Sequence, residues 1–150
     1  MVNQLKKIRD MKIRYITFQP PAIFHYEQVL PKTKGEIVSF EPLEGWEQRS
    51  GQMVQALSEC QAVYSGHLHG VIFSIMAQVP CLVAPLTQKI TATCQWIGYN
   101  KFYALQQEEI LTGLKNLLEQ EKEVKTLQRE IAARERPKAE ENLKLLERMI

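Results

Sequence analysis

Residues 62–77 constrain the fold more than any other part of the chain. Ala62-Val63-Tyr64 is a short apolar run that ends in Ser65-Gly66. His67, Leu68, His69 and Gly70 follow, and a second apolar segment continues to Ala77. The first run suits a strand, the Ser-Gly pair a tight turn, and the longer apolar segment a helix. Such a unit must bury its strand in a sheet and lay its helix back on that sheet. The turn then sits just past the carboxyl end of the strand, where open α/β sheets place their ligands.

The flanking sequence repeats the alternation. Residues 12–18 are β-branched and aromatic and are stopped by Gln19-Pro20-Pro21, which predicts a first strand. A short helix is expected over 22–30, ended by Pro31, then a turn at Thr33-Lys34-Gly35 and a second strand over 36–40. Trp46, Met53, Val54 and Leu57 recur at near-helical spacing over 46–59. After the strand at 62–64, the helix over 67–78 is apolar around most of its circumference, as a helix buried between layers would be. Residues 81–86 give a fourth strand, limited by Pro85. Thr87 caps a helix that Gly98 closes, and 101–105 supply a fifth strand.

From Gln107 onward, apolar residues follow helical spacing until Pro137 interrupts them. A last amphipathic segment carries Leu143, Leu145, Leu146, Met149 and Ile150. The pattern predicts an α/β, Rossmann-like three-layer domain over residues 1–118, with a mostly parallel sheet of about five strands. Residues 119–150 form a charged, amphipathic helical tail, packed on the domain or used for homo-oligomeric assembly.

Composition narrows the classes. At 150 residues, 45% hydrophobic and 24% charged, the chain fits one soluble globular domain. Its net charge of +2 is spread among interleaved Lys, Arg and Glu, which argues against a nucleic-acid partner. Three cysteines without C-x-x-C spacing point to reduced thiols and a cytoplasmic location. No segment has the length and apolarity of a membrane span, and residues 1–10 lack the apolar core of a secretory signal.

The chemistry concentrates at the turn. Unpaired N–H groups and the peptide dipoles make a helix start a site for phosphate or carboxylate. Ser65 suits a capping position, Gly66 permits close approach of a ligand, and the backbone from His67 and Leu68 onward would hold the anion. Near a helix start the imidazoles of His67 and His69 are expected neutral, as hydrogen-bond donors or as a general acid or base. Two histidines two residues apart do not share a helix face and no acidic cluster completes a site, so no metal is expected. Lys89, just after the fourth strand, would rise from the same sheet edge.

These residues resemble a known family. Tyr64-Ser65-Gly66-His67-Leu68-His69-Gly70, the apolar helix, Gln78-Val79-Pro80-Cys81-Leu82-Val83-Ala84 and Lys89 are similar to the C-terminal domain of polysaccharide pyruvyl transferases. That family shows a strand, Ser-x-Arg-x-His, an apolar helix, Gly-x-Pro, another strand and a downstream lysine. The resemblance covers about residues 12–118 and implies the C-terminal half of a GT-B-like enzyme. Such an enzyme transfers the pyruvyl group of phosphoenolpyruvate to a sugar of a surface polysaccharide, in a cleft between two domains. It implies a catalytic acid/base or donor-contact role for His69, and donor contacts for Ser65, Gly66, His67, Leu68 and Lys89. No cofactor beyond the donor substrate is implied. The partners would be phosphoenolpyruvate, a sugar precursor and a separate chain supplying the N-terminal half. His67 stands where the family usually has arginine. A glycosyltransferase-like domain that binds a nucleotide sugar, and a non-catalytic assembly module, are the alternative readings.

Overall fold

The structure is a computed structural model in which residues 10–17, 36–39 and 46–149 are described. The short helix expected over 22–30 and the turn at 33–35 lie outside these residues. The described elements are β1 (Ile13–Thr17), β2 (Glu36–Ser39), α1 (Trp46–Ser58), β3 (Ala62–Ser65), α2 (Leu68–Ala77), β4 (Cys81–Val83), α3 (Gln88–Ile97), α4 (Gln107–Glu119) and α5 (Glu121–Met149). The four strands form one sheet in the order β2-β1-β3-β4, with every pair parallel. The chain is therefore α/β, with each crossover after β2 made by a helix.

β4 carries helices on both faces. Neighbouring strand residues point opposite ways. Leu82 meets α4, where Gly113 lets the helix approach; a Cβ there would stand 2.6 Å from Leu82 Cδ1. Cys81 points the other way, within hydrogen-bonding reach of Ser74 on α2. The core gathers Ile13, Tyr15, Val63, Tyr64, Leu82, Ile110 and Leu114, all at most 2% exposed. α2 buries Gly70, Val71, Phe73, Ser74 and Ile75, whereas Ile72 and Met76 are exposed, so its burial is one-sided and not all-round.

Local signals set several helix ends. Thr87 accepts a hydrogen bond from the Ile90 N–H at 3.3 Å, and Gly98 closes α3 in the left-handed region with φ of 82°. α4 begins with a capping box in which the Glu109 carboxylate accepts from the N–H groups of Leu105 and Gln106, both at 3.0 Å. Those two bonds hold the Glu109 carboxyl below its usual range.

Two expectations need correction. The fifth strand is absent among the described residues: Tyr103 makes a single parallel bridge to Val83. Val83 donates to the Phe102 carbonyl at 2.8 Å and accepts from Ala104 N–H at 3.0 Å. On one side of that bridge the Cys81 peptide groups are already bonded to the Tyr99 hydroxyl. On the other side Pro85, the next residue of the chain whose peptide groups would face that edge, has no N–H to give. A longer ladder therefore lacks the N–H donors it would need on both sides of the bridge. Nor does Pro137 interrupt the last helix, since it lies inside the continuous α5. The carbonyl it leaves unpaired, that of Ala133, belongs to an exposed residue that water can reach. Ion pairs Lys138–Glu135 and Arg136–Glu140 flank the position.

α5 divides in two. Val124, Gln128 and Ile131 are buried against the domain. Gln128 Nε2 donates to the Val79 carbonyl at 2.7 Å, and the Arg134 guanidinium donates to the Ile97 carbonyl at 2.6 Å. Lys138 lies 5.5 Å from the Trp96 ring centre. Beyond Arg136 every described residue of the helix is exposed.

Candidate functional site

The strand order places the turn. β1 has β2 on one side and β3 on the other, so the chain reverses its direction of travel across the sheet at β1. Crevices in open parallel sheets form at that reversal, outside the carboxyl ends of the two strands. Ser65, the last residue of β3, is in register with Ile16 of β1. The segment from Ser65 to His69 leaves the sheet at this point.

Ser65 is not the helix cap. Its hydroxyl accepts from His67 N–H at 3.1 Å and donates to the His67 carbonyl at 2.9 Å, which closes a tight turn inside the connection. The N-cap position of α2 belongs to His67, in an extended conformation and with no side-chain capping bond. The first helical bond runs from Val71 N–H to the His67 carbonyl at 3.2 Å. Ser65 and Gly66 are buried, so the close backbone approach expected at Gly66 is not at an open surface. His67 and Leu68 are half-buried, and His69 is exposed.

The two imidazoles differ in setting. Burial, and then the neighbouring His69, push the His67 pKa below its ordinary value, which favours the neutral ring. The His69 ring lies 6.4 Å from that of Phe73, one helical turn further on, in a tilted arrangement. The residue is exposed at the start of α2.

Lys89 rises from the same sheet edge. Ala84 N–H donates to the Ser65 carbonyl at 2.8 Å and locks the end of β4 to the end of β3. Lys89 follows on the first turn of α3 and is exposed. The histidines and Lys89 thus follow the carboxyl ends of two adjacent strands, β3 and β4. Ala84 was not singled out by sequence; a backbone tie between strand ends leaves no side-chain signature.

Other chemistry is placed in the core. Cys60, Cys81 and Cys94 are free and buried. Burial pushes the Cys81 thiol up to about 12 and raises the Cys94 thiol as well, so neither is a nucleophile at neutral pH. Among the described residues no group of three His, Cys, Asp or Glu side chains converges. Nor is any described helix long and apolar enough to cross a membrane. No family model, curated protein or solved structure matches this chain.

Proposed function

We propose that the chain is a Rossmann-like, pyruvyl-transferase-like domain that binds an anionic donor of the phosphoenolpyruvate type at the start of α2. The observation that carries this reading is the position of the Ser65–His69 connection at the carboxyl end of β3, beside β1, where the strand order reverses. Backbone N–H groups and the dipole at the start of α2 favour a phosphate or carboxylate. His69, exposed at that start, serves as acid/base or donor contact, and the Lys89 ammonium adds positive charge from the adjacent strand end. The neutral state favoured at His67 supplies a hydrogen bond in place of the charged fork an arginine would give. In this reading the sugar acceptor enters from a second domain supplied by another chain, and the buried, free thiols fit the cytoplasm.

The test is ligand-induced stabilisation. Phosphoenolpyruvate is titrated against the protein and, separately, a nucleotide diphosphate sugar. The reading expects a rise in Tm with phosphoenolpyruvate that His69→Ala diminishes and Lys89→Ala weakens. A rise with the nucleotide sugar alone supports a glycosyltransferase-like domain instead, and no rise with either removes the donor site. A non-catalytic assembly role has one observation in its favour, the exposed Leu143, Leu146 and Met149 on α5, and predicts no ligand effect.

A further inference from the structure

The Tyr103 bridge leaves one edge of the sheet open among the described residues. Val83 pairs with the carbonyl of Phe102 and the N–H of Ala104. Successive peptide groups of an extended chain point to opposite sides. The N–H and carbonyl of Tyr103 therefore face away from β4, and among the described residues nothing pairs with them. Beside this edge, against α4, runs a groove of about 380 Å³ lined by Phe102, Tyr103, Thr112 and Asn116. Lys101, Glu108 and Glu109 also line it; Lys101 begins the edge, and the Glu109 carboxylate is tied to its other end at Leu105 N–H.

The charges select the occupant. An edge with a base at one end and acids at the other is complementary to its own copy turned end for end. If two copies pair antiparallel about Tyr103, each Tyr103 exchanges both of its peptide hydrogen bonds with the other. Lys101 of one copy then stands opposite Leu105 of the other. The Glu109 carboxylate is held at that point, because it accepts from Leu105 N–H at 3.0 Å. Two-fold symmetry makes the same contact twice. The carboxylate also occupies the Leu105 N–H, so pairing cannot run further along the edge, and the assembly stops at two.

We propose that the edge at residues 101–105 is the self-association surface of this protein, forming an isologous antiparallel dimer through Tyr103, with Lys101 against the Glu108 and Glu109 pair of the second copy. The pairing is short, and so the dimer is weak, strengthens at low salt and dissociates as salt rises.

Sedimentation velocity over a range of protein and salt concentrations tests it on the full chain. The wild type is expected to shift from monomer to dimer as concentration rises. Lys101→Glu and Glu108→Lys, both at exposed positions, should each weaken the dimer by about tenfold or more. An equimolar mixture of the two variants should restore it, because each opposed pair then carries opposite charges. Amide exchange at Tyr103 should slow in the dimer. A third variant, Leu143→Glu with Leu146→Glu, should dimerise as the wild type does. A wild type that stays monomeric throughout overturns the proposal. So does a dimer that survives Lys101→Glu, or one lost in the Leu143/Leu146 variant, which would locate assembly on α5.

Discussion

The Tyr99 hydroxyl holds both peptide groups of Cys81: it accepts the Cys81 N–H at 3.0 Å and donates to the Cys81 carbonyl at 2.8 Å. Those groups point to the side of β4 on which a further strand would lie. One phenol therefore does at Cys81 what a strand would otherwise do, deep in the core, where Tyr99 is fully buried. Burial in turn raises the Tyr99 pKa well above its usual value and keeps the hydroxyl protonated as a donor. Tyr99→Phe leaves a buried N–H and a buried carbonyl without partners. The expected loss is about 1–3 kcal/mol for orphaned buried groups. Urea denaturation should show a lower midpoint with an unchanged slope.

Gly113 of α4 packs directly against the Leu82 side chain of β4. A methyl on Gly113 would also lie 3.1 Å from Leu82 Cδ2, and Leu82 is only 1% exposed, so it has little room to move aside. Gly113→Ala gains helix propensity of about 1 kcal/mol, but overpacking of this kind costs about 1–3 kcal/mol. The substitution should therefore be neutral to destabilising. Leu82→Ala alone should cost about 2–5 kcal/mol through the cavity it leaves. The double variant should be more stable than the sum of the two single losses, because the new methyl partly fills that cavity. Strict additivity in the double-mutant cycle would show that the two residues do not share the space.

What was legible in the sequence was local. Thr87 carries its role in its hydroxyl and Gly98 in its lack of a Cβ, and the structure uses both at the ends of α3. The alternation of strands and helices gave a parallel sheet because only crossover connections fit such spacing. The misreadings come from partners remote in sequence. Residues 101–105 have a strand composition, yet a strand needs free peptide donors opposite, and Tyr99 and Pro85 remove them. Pro137 breaks a helix where its neighbours need the lost bond, but on an exposed stretch anchored upstream by Gln128 and Arg134 the helix continues. At the candidate site the residue types were readable and their burial was not. Ser65 turns out to brace the connection from within, and His69 stands outside it.

Gln128 and Arg134 attach α5 by different means, and their removal should read differently. Gln128 is fully buried; its Nε2 donates to Val79, while its Oε1 has no partner among the described residues. Gln128→Ala leaves the Val79 carbonyl unpaired and opens a cavity, so the whole domain should lose about 1–3 kcal/mol. The Arg134 side chain is half exposed, and its bond ends on Ile97, the last residue of α3, where a positive charge suits the helix dipole. Arg134→Ala should cost less than about 1 kcal/mol overall. Its effect should be local, with faster amide exchange over 135–149 and a nearly unchanged rate upstream. Equal acceleration throughout α5 would mean that the helix leaves the domain as one unit.

His67 gives the candidate site a dependence on pH whose sign follows from its lowered pKa. The ordinary value is 6.5, and burial and His69 bring the folded value below it. Well above 6.5 the ring is neutral in both folded and unfolded chains, and it contributes no slope. As pH falls through 6.5 the unfolded chain takes up a proton before the folded one does. Stability rises with pH wherever the unfolded state binds more protons, so it falls as pH decreases through this window. Below the folded pKa both states are protonated, and the loss is complete. His67→Gln keeps a polar side chain at the start of α2 and removes the titration. The variant should lose less stability than the wild type between pH 6.5 and the folded pKa, with the two profiles running parallel above pH 7. A wild-type slope retained in His67→Gln would assign the acid sensitivity to other groups. It would leave His67 without the neutral, partly buried character on which its proposed hydrogen bond to the donor depends.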